Sequence, residues 1–389
     1  MTPEEVIREF AQPINIDLLL NSIDNNRLVL VGDNTHGTRE FYKFRKAITK
    51  KLITEKGFTI VGVEWDWVDI GRINNFILGR SQDRNAHDAI SPIDRFPEFM
   101  YDNHEFEEFI EWLHRYNQNT DRKVTIYGLD IFGLIPTIRY LMFNLPDQNR
   151  ALLEKINSVF SLFSDNEYAY GYAVQSGQVK SLENEVNQLQ PTGDFFLDQC
   201  IQLLKEGERY YRIKAQDDSL GWNIRDHHMA RIIIDLLNMS SSKMVGWLHN
   251  THSGDARTVR EFKDQGKTSV CEILRKYLGN NVYSIGLLTY TGTVTASDRW
   301  FGPTIKFKLN PSIEGSFGDL FHDSINGDFM LILRNGNPKL LQLLSIPRYE
   351  RFIGGAYNPN NELHDHYVHS PLYNQFDAII FYNYTHSFE

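Results

Sequence analysis

The sequence predicts an α/β fold: a mostly parallel central sheet flanked by helices, with a helical insertion over the C-terminal edge of the strands. Three observations carry this expectation. Short apolar runs rich in β-formers recur at 27–32, 58–64, 123–130 and 243–248, and each closes on a polar turn or a carboxylate. The stretches between them repeat apolar residues at three- and four-residue spacing, over the length that a parallel crossover needs. From 136 to 222 the strand rhythm stops and helical periodicity takes over. The expected division is therefore an α/β core of 1–135 and 223–389 around a helical insertion or cap of 136–222.

Composition removes several classes of function. With 41% hydrophobic and 23% charged residues, the chain of 389 is an ordinary globular one. A formal net charge of -10 with no basic cluster argues against nucleic acid as a partner. Cys200 and Cys271 match no redox or zinc spacing, which suits a reducing compartment. The first ten residues are acidic and lack the apolar core of a signal peptide. No window approaches 18 consecutive apolar residues, so no membrane partner is expected and the cytoplasm is the expected location.

In order, 3–24 reads as one or two short amphipathic helices, followed by the first strand, 27–32. A helix from Thr38 to Lys56 buries Phe41, Phe44, Ile48 and Leu52, and Gly57 stops it. Arg45 falls on that apolar stripe, so it needs a partner, because an unpaired buried charge is very costly. The second strand, 58–64, ends in Glu64, and the crossover predicts that Glu64 lies beside the turn after the first strand. A helix over 105–116 leads to a third strand ending in Asp130. The insertion carries Tyr168, Tyr170 and Tyr172, which suit either a cleft wall or packing within the cap. Asn223 is placed to cap a helix running through Met229, Ile232, Ile233, Leu236 and Leu237. A strand at 243–248 then delivers His249-Asn-Thr-His252, and segments at 282–290, 328–334 and 376–382 complete a sheet of about seven strands.

Four strand ends thus carry titratable groups: Asp33 and His36, Glu64, Asp130, and His249 with His252. In parallel sheets, sites form beyond the carboxyl ends of strands. A carboxylate beside His36 fixes its tautomer and makes it a base for water or a substrate hydroxyl, and Glu64 is the expected partner. His249 or His252 can hold an oxyanion or protonate a leaving group. Three histidines with two acids also allow a metal, although the His-Glu-x-x-His pattern is missing. His364, His366 and His369 sit among Asn, Pro and Tyr and read as a loop, while the adjacent His227 and His228 read as structural. No Gly-x-Ser-x-Gly elbow, phosphate-binding Gly-Lys-Ser/Thr loop or Gly-x-Gly-x-x-Gly exists, so serine-hydrolase and nucleotide chemistry have no support.

The same residues resemble the erythromycin esterase family. The matching pieces are Val31-Gly-Asp-Asn-Thr-His-Gly-Thr-Arg-Glu-Phe41, Glu64 after Gly57-Phe58, Tyr127-Gly-Leu-Asp130, Arg225-Asp226 with Met229-Ala230, Leu248-His-Asn-Thr-His252 and Phe376-Asp-Ala-Ile-Ile380. The resemblance implies an α/β core with a helical subdomain over a deep cleft. It also implies hydrolysis of a cyclic ester by histidine-activated water, with no covalent acyl-enzyme and no cofactor. His36 then takes the place of the general base and Glu64 of its acidic partner, with Arg45, His249 and His252 as further active-site residues. Arg39, Asp130 and Arg225, in the matching stretches, are expected to bind substrate. Asp33 departs from the family, which usually has Glu there, and the loss of a methylene shortens its reach by about 1 Å.

The expected activity is therefore cleavage of an ester, or a related acyl group, in a medium-sized organic or peptide-like molecule. The alternatives are a tailoring enzyme that uses the same base for elimination or group transfer, and a non-catalytic or metal-dependent member of the fold. Neither the identity of the substrate nor the oligomeric state is legible in the sequence.

Overall fold

Ten strands organise the computed structural model, which describes residues 1–239 and 241–389. They are β1 (Leu28–Val31), β2 (Ile60–Asp66), β3 (Thr125–Asp130), β4 (Met244–Trp247), β5 (Val282–Ser297), β6 (Thr304–Leu309), β7 (Phe329–Ile332), β8 (Arg348–Arg351), β9 (Tyr367–Ser370) and β10 (Ala378–Thr385). The main sheet runs β3-β2-β4-β1-β5-β10-β7, with β6 on the far part of β5. Its pairs are parallel from β3 to β10, and only β7 and β6 join antiparallel. The α/β class with a mostly parallel sheet holds.

One expectation about topology is corrected. β1 and β2 do not neighbour each other, because β4 lies between them, with Val31 opposite Trp247 and Val63 opposite the same Trp247. Both crossovers still leave the strand ends on one edge, since parallel strands share a direction. The intervening strand has a functional consequence: His249 and His252, which follow β4, arrive between His36 and Glu64.

Alternation along the strands divides the core. Leu28, Leu30, Ile60, Met244 and Val282 pack on one face with the helices of 134–238. Val29, Val31, Val61, Val63, Val245 and Trp247 pack on the other with helices Arg39–Lys56 and His104–Gln118. Gly57 ends the first of these helices in the left-handed region, φ 72°, as the stop signal predicted. The helix expected to start at Asn223 in fact spans Asp218–Asn238, because Asp217 caps it by accepting from Leu220 N–H at 2.9 Å. Asn223 lies inside that helix and ties the Gly266–Thr268 turn to it instead.

Three short strands were not expected. β6 is mostly solvent-facing and carries Lys306 and Lys308, and β8 is Arg-Tyr-Glu-Arg, so neither shows an apolar run. The loop expected around His364–His369 is a short helix, Glu362–His366, running into β9, which pairs with β8.

Glu350 of β8 is buried and has no cation beside it among the described residues. Its Oε2 accepts from Ser370 Oγ at 2.8 Å and Gln375 Nε2 at 2.9 Å, and its Oε1 has no partner among the described residues. Burial pushes its carboxyl up to about 7 from an ordinary 4.5. A group whose folded value is raised contributes stability that is complete below the unfolded value and is lost as pH rises through the folded one. The loss is on the order of 3 kcal/mol between about pH 4.5 and 7. Glu350→Gln should therefore melt higher than wild type at pH 8, by a few degrees, and level with it at pH 4.5. Calorimetry at the two pH values checks this, and an equal shift at both would refute it.

Candidate active site

The stretch after β1 is held from three sides by its backbone. Gly32 N–H and Asn34 N–H donate to Ile285 O and Leu287 O of β5, at 2.8 and 3.1 Å. Asp33 O accepts from Asn250 N–H at 2.7 Å, and His36 N–H donates to Ile353 O at 3.1 Å. A turn so pinned places the Asp33 and His36 side chains without help from the rest of the loop.

Asp33 is wholly buried and serves two partners. Its Oδ1 lies 3.1 Å from His36 Nδ1, and its Oδ2 lies 2.7 Å from Arg45 Nη1. Burial works against its charge, but Arg45 and His36 outweigh it and hold the carboxyl well below its usual range. The short side chain of Asp33 reaches both.

Arg45 has the partner that its apolar stripe demanded. The rest of its guanidinium is also committed: Nε and Nη2 donate to Val31 O at 3.3 and 3.2 Å, and Nη2 donates to Leu248 O at 2.9 Å. It ties the ends of β1 and β4 together behind Asp33 and is 2% exposed. This geometry makes it a positioning residue, not a group that meets an oxyanion.

Glu64 stands at the centre. Its Oε2 accepts from His249 N–H at 2.7 Å, and its Oε1 accepts from Arg225 Nη2 at 2.9 Å. His252 Nε2 lies 3.4 Å from that Oε1, and His36 Nε2 lies 4.0 Å from it. Burial raises its carboxyl, but His252, His36 and Arg225 together bring it below the ordinary value. The expected partnership is thus corrected in detail: Asp33 is the carboxylate in contact with His36, and Glu64 faces the opposite ring nitrogen across a gap.

Two further carboxylates support this centre. Asp130 receives Arg225 as a fork, from Nε at 2.8 Å and Nη2 at 2.7 Å. Burial works against Asp130, yet Arg225 brings it down to about 2. Asp226 Oδ2 lies 3.0 Å from His252 Nδ1 and accepts from Val270 N–H at 3.0 Å. Burial lowers His252, but Asp226 and Glu64 outweigh it and raise the imidazole above its usual value. Trp222 stacks on that ring at 4.8 Å. Asp226 in the sequence reads as an acid near a helix start; only the fold turns it toward His252.

His249 differs from its neighbours. Its Nδ1 lies 2.8 Å from Thr251 Oγ1 and accepts from Thr251 N–H at 3.4 Å, as the N-cap of helix Asn250–Ser253. Burial and the nearby His36 push it down to about 3, so it is neutral. With Nδ1 accepting, the proton sits on Nε2, which has no partner among the described residues. The ring lies 4.6 Å from that of His36, centre to centre.

Arg39 does not join this group, since it pairs with Glu105 and Glu389. Of the tyrosines, Tyr168 touches Phe132 and Tyr210, Tyr170 is buried and donates to Glu208 at 2.9 Å, and Tyr172 is exposed. His228 is buried against Glu206, in keeping with a structural role. Sequence reasoning missed Asp66 and Arg95, an ion pair at 2.7 Å beside the Asp130 end of β3. Asp66 had a signal, two residues after Glu64 on one strand; Arg95 lies in a loop and had none. Arg95 and Arg225 both lie over the Phe132 ring, at 5.0 and 4.8 Å. Among the described residues, no three His, Cys, Asp or Glu side chains converge as metal ligands. No helix among them is long and apolar enough to cross a membrane.

Comparison with known proteins bears on the whole chain. Residues 53–385 match the sequence profile of the erythromycin esterase family, a span that holds Glu64, Asp130, Arg225, His249 and His252. An erythromycin esterase type II from Escherichia coli is 31% identical over 109 residues, 28% of this chain and 24% of that protein. The match thus spans about a quarter of that relative. Among solved structures, a Bacillus cereus protein superposes with a TM-score of 0.76 at 17% identity, covering 99% of this chain and 98% of that one. A succinoglycan biosynthesis protein gives 0.78 at 20% identity, covering 99% and 97%. A mutant of the erythromycin esterase EreC, in its open conformation, gives 0.70 at 13% identity, covering 96% and 94%. These structural likenesses establish the shared fold.

Proposed function

Because the chain belongs to the erythromycin esterase family, we propose that it is a hydrolase that cleaves an ester or lactone in a medium-sized organic molecule. In this reading water is the nucleophile, His36 is its base, and no acyl-enzyme forms. One observation carries the proposal: the two ring nitrogens of His36 have different surroundings. Nδ1 lies against the ionised Asp33, so the proton belongs on that nitrogen. Nε2 is then a free acceptor, and its 4.0 Å separation from Glu64 Oε1 suits a water touching both.

The proton steps follow. Nε2 takes a proton as the water oxygen bonds to the acyl carbon, giving a tetrahedral oxyanion and an imidazolium that Asp33 stabilises. The oxyanion needs donors that are already in place, and donors of this kind usually supply the largest catalytic term. His249 Nε2–H is a neutral, unpartnered donor next to His36. Arg225 Nη1 is a second donor, with no partner among the described residues, on a side chain 17% exposed. His249 keeps the role expected of it from the sequence, and Arg225 takes the place beside it that Arg45, committed to Asp33, does not fill. His36 finally returns its proton to the departing alkoxide. His252, made more basic by Asp226, lies against Glu64 and helps to keep it ionised and in place. The free, buried Cys200 and Cys271 fit work in the cytoplasm on a small-molecule substrate.

A panel of esters and lactones, hydrolysed in ¹⁸O-water with enzyme in excess and quenched with acid, tests this reading. The acid product should carry one solvent oxygen, and the intact protein mass should stay unchanged. A protein adduct of acyl mass, or unlabelled acid, would exclude direct attack by water; no hydrolysis of any member would exclude the hydrolase.

A further inference from the structure

The hairpin joining β5 to β6 ends in two large rings that the fold leaves in solvent. Trp300 is 59% exposed and Phe301 45%. Phe301 also holds a left-handed backbone, φ 61°, which is costly for a bulky residue and is kept where the surroundings enforce it. The turn is tight: Gly302 N–H donates to Arg299 O at 3.0 Å, and a Cβ at Gly302 would lie 2.5 Å from Ser297 Oγ.

The exposed rings are continuous with the active site. Both contact Phe96, at 5.5 and 5.6 Å between centres, and Phe301 contacts Tyr168 of the helical segment at 6.3 Å. Tyr168 in turn meets Phe132, the ring under Arg225. A second path is shorter. A Cβ on Gly354 would lie 3.8 Å from His36 Cδ2, and one on the next residue, Gly355, 3.1 Å from Phe96. The base and the aromatic wall are thus separated by two adjacent glycines. A polar floor beside an aromatic wall fits an amphipathic ligand whose reactive group meets His36 while a ring lies on the wall.

We propose that Trp300 and Phe301, with Phe96 and Tyr168, form a subsite for a ring-bearing apolar portion of the substrate. This inference rests on the reading of His36 as the reacting centre, but its test is binding. N-(2-naphthyl)butyramide, an amide that stands in for an ester, is titrated by calorimetry against wild type, Trp300→Ala, Trp300→Ala/Phe301→Ala and His36→Ala; N-ethylbutyramide is the ringless control. The naphthyl amide should bind wild type and His36→Ala alike. It should weaken at least about tenfold in the double variant, with an intermediate loss in Trp300→Ala. The ringless amide should not distinguish the double variant from wild type, and that variant should remain folded, its melting temperature lowered by no more than a few degrees for the lost contacts with Phe96 and Tyr168. Undetected naphthyl binding to wild type, unchanged binding to the double variant, or equal losses for both amides would overturn the subsite. If the binding pattern holds while wild type hydrolyses neither 2-naphthyl butyrate nor ethyl butyrate, the subsite stands and ester hydrolysis is the part that fails.

Discussion

Replacing His36 by Ala should lower kcat for ester hydrolysis by roughly 10² to 10⁴, the range for loss of a general base. The ring is buried, but its contacts are few, Asp33 and His249, and the backbone bond to Ile353 does not involve it. His36→Ala should therefore fold and melt at most a few degrees below wild type, which separates lost chemistry from lost fold. Asp33→Asn should lose activity by a comparable route while keeping the ring in place. An amide nitrogen beside Nδ1 would donate to it, driving the ring proton to Nε2 and blocking the acceptor that water needs. Steady-state kinetics on the best ester of the panel, with melting curves for each variant, provides the check. An Ala variant as fast as wild type would remove His36 from the mechanism.

The second large effect is on stability. Arg45→Met removes the cation from a carboxylate that is wholly buried and strips bonds from Val31 O and Leu248 O. Breaking one side of a buried pair costs about 3–5 kcal/mol, because the remaining charge stays buried without its partner. Urea denaturation should show that loss, together with collapse of activity as Asp33 and the ends of β1 and β4 shift. Lys at this position keeps a charge but offers a single nitrogen in place of Nε, Nη1 and Nη2, which reach Asp33, Val31 O and Leu248 O from separate positions, so Arg45→Lys should fall between. Adding Asp33→Asn to Arg45→Met should recover part of the stability and none of the activity, since the orphaned charge is then gone. If Arg45→Met is as stable as wild type, the ion pair does not hold these strands.

How much of this could be read beforehand differs from residue to residue. The strand at 27–32, the Gly57 stop, the carboxylate at the end of each of two strands and the histidines after 248 all announce themselves by local pattern. Arg45 did so as well, by standing on an apolar stripe where a charge cannot stand alone. β6 and β8 did not: β6 faces solvent along most of its length, and β8 buries charged residues, Glu350 and Arg351, so neither has an apolar run to display. The expected helix start at Asn223 failed because a capping residue looks the same whether or not a helix already runs through it. Asp217, the residue that does cap, sits six positions earlier behind a polar turn.

The sequence by itself determined the α/β class, the family and which side chains stand at the ends of strands, because these follow from periodicity and from motifs a few residues long. Only the tertiary structure decided who touches whom. It set β4 between β1 and β2, gave His36 to Asp33 instead of Glu64, took Arg45 out of the cleft and turned Asp226 toward His252. The physical reason is range. Strand and helix patterns are fixed by near neighbours in the chain, whereas a hydrogen bond such as that from Arg225 to Glu64 joins residues 161 positions apart. Its geometry depends on the order of the whole sheet.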